Sequence, residues 1–314
     1  MRICVAGAVG AFGTKHLDAL GRIDGVEVTS VVGGAPDDVD AFARERGIGH
    51  ATKDLAESLA RDDVDAVILA TPTQLHAEQT IACLEAGKHV LCEIPMADSL
   101  EDSQRVVEAQ KRTGLVAMVD HVRRFNPSHQ WLHNKFRSGE LNLQQLDVQT
   151  YFFRRTNTNA KGEPRTWTDH LLWHHACHTV DLFQYQTGGP AVQSFGLQGP
   201  MHPDLGIAMD MTIGMKSESG ALCTLSLSFN NDGPFGTYFR YICDNGTYLA
   251  RYDDLFDGYD KQIDLSGVAV SDDGIELADR EFVAAIQEGR EPNSSVAQSL
   301  STMATLDQIE RSLS

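Results

Sequence analysis

The chain has 314 residues, 42% hydrophobic and 22% charged, with a mean hydropathy of -0.25; these values exclude a mini-protein or a disordered chain and predict two globular domains. Lys and Arg total 26 against 44 Asp and Glu, a net charge of -18, so nucleic acid and anionic membrane surfaces are not expected partners. If the substrate is itself an anion, the active site must gather Arg and His to reverse that field.

Over the first 120 residues, short apolar runs alternate with longer amphipathic ones. Ile3 to Ala6 predicts a buried strand rather than a signal peptide, and no run approaches the roughly 18 apolar residues of a membrane span, so a cytoplasmic protein is expected. A helix follows at Thr14 to Ile23, a strand at Val26 to Val32, and a helix at Asp37 to Arg46 between Pro36 and Gly47. Asp65 to Ala70 predicts a strand buried on both faces, and Leu75 to Ala86 a helix ended by Gly87. Strand His89 to Cys92, helix Ser99 to Thr113 and strand Leu115 to Val119 complete the series. Strands and helices alternating at this spacing mean a parallel sheet covered on both faces.

Past residue 120 the period changes. Helices are predicted at Pro127 to Ser138 and His170 to Gln186, and long strands at Leu146 to Phe153, Ile207 to Met215, Leu222 to Phe229 and Tyr238 to Cys243. Apolar and hydroxyl residues alternate through Leu225-Ser226-Leu227-Ser228-Phe229, the pattern of an antiparallel sheet with one free face, and that face invites subunit packing. Asp244-Asn245-Gly246 is a hairpin turn signal. Helices at Ile275 to Glu288 and Ser294 to Leu313 close the chain. The six cysteines are scattered without a CxxC pair, which fits buried thiols in a reducing compartment.

Where the first strand meets the first helix, Gly7, Gly10 and Gly13 form GxxGxxG with Ala11 and Phe12 between them. Glycine there lets backbone approach a pyrophosphate, whose charge rests on the helix N-terminus. The second strand ends at Gly33 and Gly34 rather than at the acidic residue that holds an NAD ribose. NADP is therefore favoured, with NAD also admitted.

Two further segments carry a family resemblance. Ala70-Thr71-Pro72-Thr73-Gln74-Leu75-His76 and Ala86-Gly87-Lys88-His89-Val90-Leu91-Cys92-Glu93-Ile94-Pro95 resemble the TPxxxH and AGKHVxxEKP signatures of the glucose-fructose oxidoreductase, inositol dehydrogenase and MocA family. The resemblance implies an α/β chain. A doubly wound Rossmann domain is expected over 1–122, then a substrate-binding and oligomerisation domain with a large, mostly antiparallel open sheet over 123–314. It adds Thr71, Pro72, Thr73, His76, Glu93 and Ile94 to the cofactor residues, and implies a homodimer or homotetramer through the open sheet. Ile94 stands where the family has a lysine that positions or polarises the reacting hydroxyl, so proton transfer must use another group.

The segment Trp173-His174-His175-Ala176-Cys177-His178-Thr179-Val180-Asp181 offers one. On an α-helix His174, Cys177, His178 and Asp181 share a face. The family places an Asp and a His four apart here, matching His174 and His178. A neutral imidazole suits a hydroxyl that gives up hydride, with His178 or His174 as base and Asp181 as support. The rival readings are core or capping histidines, zinc held by His174, Cys177 and His178, and attack by Cys177 on an aldehyde; no metal is expected.

The required positive groups are Arg123-Arg124, Arg154-Arg155, and Lys161, Arg165, Trp167 and His170. Of these, Arg124, Arg155, Arg165, Trp167 and His170 are the substrate candidates, because a planar guanidinium fork matches a carboxylate. Lys161 reads as a surface charge. Within the family, the runs Asp147 to Arg155, Asn159 to Arg165, Thr168 to His175 and Ser226 to Pro234 resemble a branch that oxidises an anionic hemiacetal with NADP. A sugar or cyclitol dehydrogenase would want carboxylates and amides instead, and a non-catalytic NADP sensor would not need the histidine pair.

Overall fold

The computed structural model describes residues 1–34, 36–158, 162, 164–165, 168–270 and 274–313. They form two compact units, residues 1–121 with 275–300 and residues 122–274 with 301–314.

The first unit holds β1 (Arg2–Ala6), β2 (Glu27–Val32), β3 (Ala51–Thr52), β4 (Ala66–Leu69), β5 (His89–Cys92) and β6 (Ala117–Val119). Every pairing is parallel and the order is β3-β2-β1-β4-β5-β6. That order reverses direction between β1 and β4, which opens a crevice at their carboxyl ends. All of β4 is buried, as its unbroken apolar run requires in a sheet covered on both sides.

Its helices are α1 (Ala11–Leu20), α2 (Pro36–Arg46), α3 (Leu55–Leu59), α4 (His76–Glu85) and α5 (Leu100–Thr113). Sequence signals fix α5 at both ends: Ser99 Oγ accepts the amide of Asp102 at 3.1 Å, and Gly114 takes the left-handed conformation that stops it. Helix α1 starts three residues before the expected Thr14, because extended Gly10 already caps it. A 3-10 turn over Thr73–Leu75 leads into α4.

The second unit holds β7 (Leu143–Tyr151), β8 (Gln193–Gln198), β9 (Asp210–Lys216), β10 (Leu222–Ser228), β11 (Gly236–Cys243), β12 (Gly246–Arg251) and β13 (Asp254–Asp257). They run in the order β13-β12-β11-β7-β10-β9-β8. Among the described strands of this sheet, only β7 and β10 pair in parallel. One face buries Leu146, Val148, Ile213, Leu225, Phe239 and Tyr241, while Leu197, Leu222 and Tyr238 are exposed. The period-two alternation of β10 is thus the division between core and open face.

In this unit α6 (Pro127–Ser138) begins with proline in its first turn and ends at left-handed Gly139. The helix expected from His170 to Gln186 is composite. Leu171–Ala176 is a π-helix, and α7 (Cys177–Thr187) continues from it. The π segment sets the first histidines off the α-helical stripe assumed for His174 and His178. The last helices are α8 (Ile275–Glu288) and α9 (Val296–Ser312); α8 lies in the first unit. The six cysteines are buried and free, and among the described residues no helix is long and apolar enough to cross a membrane.

Candidate active site

In the first unit, β1 passes into α1 through a turn in which Gly7 leaves no room for a side chain. Gly7 has φ +79, and a Cβ there would lie 2.1 Å from the Ala70 carbonyl oxygen at the end of β4. A Cβ on Gly13 would lie 2.3 Å from the Gly7 oxygen. The turn is tied to β2 by the amide of Gly7, which donates to the Val32 carbonyl at 2.8 Å. Gly10, Ala11 and Phe12 are exposed at the start of α1, where first-turn amides have no intrahelical acceptor and favour an anion. No acidic side chain occupies that first turn. This cradle at a topological switch point fits a dinucleotide pyrophosphate. Gly33 and Gly34, with φ +114 and +85, continue β2 and present no carboxylate to a ribose 2'-phosphate.

The TPxxxH and EIP segments of this unit are joined by His76. Its Nδ1 lies 2.7 Å from the Pro95 carbonyl and its Nε2 2.8 Å from the Thr71 carbonyl. Burial lowers its pKa, but the Cys92 sulfur and the two carbonyls outweigh burial, and the value is raised to about 9. The charged ring therefore donates at both ends and holds Thr71-Pro72 and Ile94-Pro95 in place. Thr71 Oγ1 donates to Gln79 at 2.6 Å, Thr73 is buried, and Ile94 is half-buried.

Glu93 Oε1 lies 3.4 Å from His16 Nε2, while His16 Nδ1 meets Asp279 Oδ1 at 2.8 Å. Burial opposes charge on His16, yet Asp279 and Glu93 hold its pKa well above the usual imidazole value. An ion cluster absent from the sequence-predicted set thus sits behind Glu93, at the carboxyl ends of β5 and β6.

In the second unit, sequence reasoning expected Arg124 to face a substrate carboxylate and Asp181 to support His178. In the structure these two residues face each other. Arg124 Nε donates to Asp181 Oδ2 at 2.8 Å and Nη2 to Oδ1 at 2.7 Å, and both residues are buried. Thr302 Oγ1 also donates to Asp181, at 3.2 Å.

Arg154, Arg165 and His175 converge on Asp169, which sequence reasoning passed over. Arg154 donates to both of its oxygens, with Nη2 to Oδ2 at 2.7 Å. Arg165 Nη1 donates to Oδ1 at 2.9 Å, and His175 Nε2 lies 3.1 Å from Oδ2. Burial would raise the Asp169 pKa, but His175 and Arg154 outweigh it and hold the carboxyl far below its ordinary range. The Arg154 guanidinium lies 4.5 Å from the Phe229 ring centroid, and His175 packs against Phe152 and Phe229. A single acid in a run of His and Arg was the available signal.

Arg155 is exposed, lies over the Phe153 ring and donates to the Asn230 side chain at 3.1 Å. His170 and His174 are half-buried with their rings edge to face at 4.8 Å. Asp169, His170, His174 and His175 are thereby brought together, whereas Trp167 and Lys161 lie outside the described residues. His178 is half-buried on α7, one turn past His174. Cys177 is fully buried, and burial with the nearby Asp181 charge keeps its pKa well above that of a free thiol. A protonated, enclosed thiol is a poor nucleophile.

Residues 1–121 match the model of an oxidoreductase family with an NAD-binding Rossmann fold, and residues 127–269 match that of bacterial oxidoreductase C-terminal domains. The chain is 64% identical over 310 residues to a 4-carboxy-2-hydroxymuconate-6-semialdehyde dehydrogenase from a Sphingobium species, covering 99% of this chain and 98% of that one. It is 31% identical to an inositol 2-dehydrogenase from Mycolicibacterium smegmatis, over 81% of this chain and 72% of the relative. An aldose-aldose oxidoreductase from Caulobacter crescentus has the same fold, with a TM-score of 0.86 at 17% identity, covering 99% of this chain and 97% of that one.

A dinucleotide cradle at the switch point of a parallel sheet, joined in one chain to an oxidoreductase C-terminal domain, defines an NAD(P)-dependent dehydrogenase. The chain belongs to the glucose-fructose oxidoreductase, inositol dehydrogenase and MocA family.

Proposed function

We propose that the protein oxidises the cyclic hemiacetal of 4-carboxy-2-hydroxymuconate-6-semialdehyde to the lactone 2-pyrone-4,6-dicarboxylate with NADP, in bacterial protocatechuate 4,5-cleavage. The observation that carries this reading is the 64% identity across 99% of the chain to the dehydrogenase of that name. The arginines gathered by Asp169 support it, because an acidic protein that takes a carboxylated substrate needs a local cationic site.

Arg154, Arg155, Arg165 and His170 hold the substrate carboxylates, and Trp167 is a further substrate-binding residue in this proposal. Gly7, Gly10, Ala11 and Phe12 hold the pyrophosphate, Gly33 and Gly34 receive the adenosine ribose, and Thr71, Pro72, Thr73, Glu93 and Ile94 flank the nicotinamide half. His76 and the Arg124–Asp181 pair act one step back, as positioning groups. The bound nicotinamide supplies the acceptor for the hydride that leaves the hemiacetal carbon. A histidine of the His174/His178 pair takes the hemiacetal hydroxyl proton, and the carbon–oxygen bond becomes the lactone carbonyl. With Ile94 in place of lysine, no cationic amine competes for this role at that position.

Assembly is through the open sheet, as a dimer or tetramer, supported by Phe195, Leu197, Leu222 and Tyr238, all exposed. The setting is the cytoplasm, which six buried free thiols support. The purified protein is to be mixed with the ring-cleavage product of protocatechuate, with inositol and with glucose, each with NADP and with NAD. NADP reduction with the semialdehyde alone is expected; turnover of inositol or glucose in its place overturns the substrate assignment, and a preference for NAD overturns the cofactor assignment.

A further inference from the structure

His174 makes one contact that determines which of its nitrogens can act. The backbone amide of His170 donates to His174 Nδ1 at 3.1 Å. An amide can only donate, so Nδ1 presents its lone pair and the one proton of the neutral ring sits on Nε2. The cause is local. His170 is the N-cap of the π-helix Leu171–Ala176, and a side chain that accepts the N-cap amide ordinarily stands three residues on, as in a capping box. The wider π turn brings the fourth residue over the cap instead. His174 thus satisfies an amide that the helix leaves unpaired.

We infer that His174 is a fixed hydrogen-bond donor through Nε2–H and is not the group that takes the substrate proton. This rests on the histidine-assisted oxidation proposed above and divides the labour within it. A base must offer a lone pair where the proton is released; His174 has committed its own to the backbone. To present Nδ1–H instead, the ring would have to set two N–H groups against each other and lose the cap. The surroundings act in the same direction. Burial, with the neighbouring His170 and His175, lowers the His174 pKa to about 3 against the opposing pull of Asp169, so the ring remains a neutral, single-proton donor across the working range. An N–H donor suits the oxygen or carboxylate of an anionic hemiacetal.

The test uses the full-length protein labelled with 15N-histidine, with His174 assigned from the signals lost in His174→Gln. Long-range proton–nitrogen spectra are expected to show His174 in the Nε2–H tautomer, unchanged between about pH 6 and pH 8. An Nδ1–H tautomer, or titration within that window, overturns the inference. A kinetic arm reads the same division, since the Gln amide nitrogen stands near the place of Nε2 and keeps a donor there. His174→Gln is expected to hold kcat within about tenfold and keep the acid limb of the pH profile, while His178→Gln loses about 100-fold or more together with that limb. The reverse pattern overturns the assignment. If the unaltered protein fails to turn over the semialdehyde, the proposed function falls, and the spectrum still decides the His174 tautomer.

Discussion

Arg124 and Asp181 form a buried two-point ion pair across 57 residues of sequence, with Nε–Oδ2 and Nη2–Oδ1 at 2.8 and 2.7 Å. The pair fixes the first turns of α7 to the segment that opens the second unit. Each charge is out of water and relies on the other. Arg124→Ala is therefore expected to lower stability by about 3–5 kcal/mol, read by denaturant unfolding, because it strands a buried carboxylate. Combining Arg124→Met with Asp181→Leu should restore most of the loss. A single variant as stable as the parent would show that the pair does not anchor α7.

Arg154 and Arg165 are oriented by one carboxylate, Asp169, and face substrate in the proposed reaction. Each lost charge-assisted hydrogen bond is worth about 1.5–3 kcal/mol. Arg154→Ala and Arg165→Ala should accordingly each raise KM for the semialdehyde by about tenfold or more, with kcat changed only a few-fold. Steady-state kinetics at saturating NADP decide this; a fall in kcat at unchanged KM would move the arginines from binding to the chemical step.

His76 contributes stability with a definite pH dependence. Its pKa is raised from 6.5 to about 9 in the folded protein, so the contribution is complete below the unfolded value and disappears as pH rises through the folded one. The shift corresponds to something on the order of 3 kcal/mol. The stability gap between the parent and His76→Ala should be widest near pH 6 and narrow steadily towards pH 9.5 and above. Unfolding curves at both ends of that range test it, and a gap that widens with pH contradicts the charged clamp.

Cys177 packs as a buried thiol. Cys177→Ala should leave kcat within about threefold while costing about 1 kcal/mol of stability, the scale of a small core truncation. Loss of activity in a folded, cofactor-binding variant would favour a covalent thiohemiacetal route.

Much of the first unit was legible in the sequence because its signals are local. Gly7 and Gly13 mark backbone that a Cβ would obstruct, Ser99 and Gly114 delimit α5, and the apolar run Ala66–Leu69 reads as a doubly covered strand. Strands β3, β8 and β13 went unread: β3 has two residues, Gln, Ser and Gly interrupt any apolar alternation in β8, and in β13 Asp254 and Asp257 bracket only two apolar residues. The candidate site was legible in composition and not in pairing. The stripe of His174 and His178 assumes an unbroken α-helix, whereas Leu171–Ala176 winds as a π turn with Leu171, Leu172 and Trp173 buried. Nor does sequence say that Asp181 would take Arg124, or that Asp169 would gather Arg154, Arg165 and His175; those choices are made by tertiary packing.

The proposed oxidation depends on an imidazole of this helix taking the proton as hydride departs. The most direct measurement is kcat of His178→Ala for NADP reduction by the semialdehyde, taken alongside the NADP dissociation constant of the same preparation. The expected result is a fall in kcat of about 100- to 10,000-fold, the usual worth of a positioned general base, at unchanged NADP affinity. An unchanged kcat would contradict the mechanism.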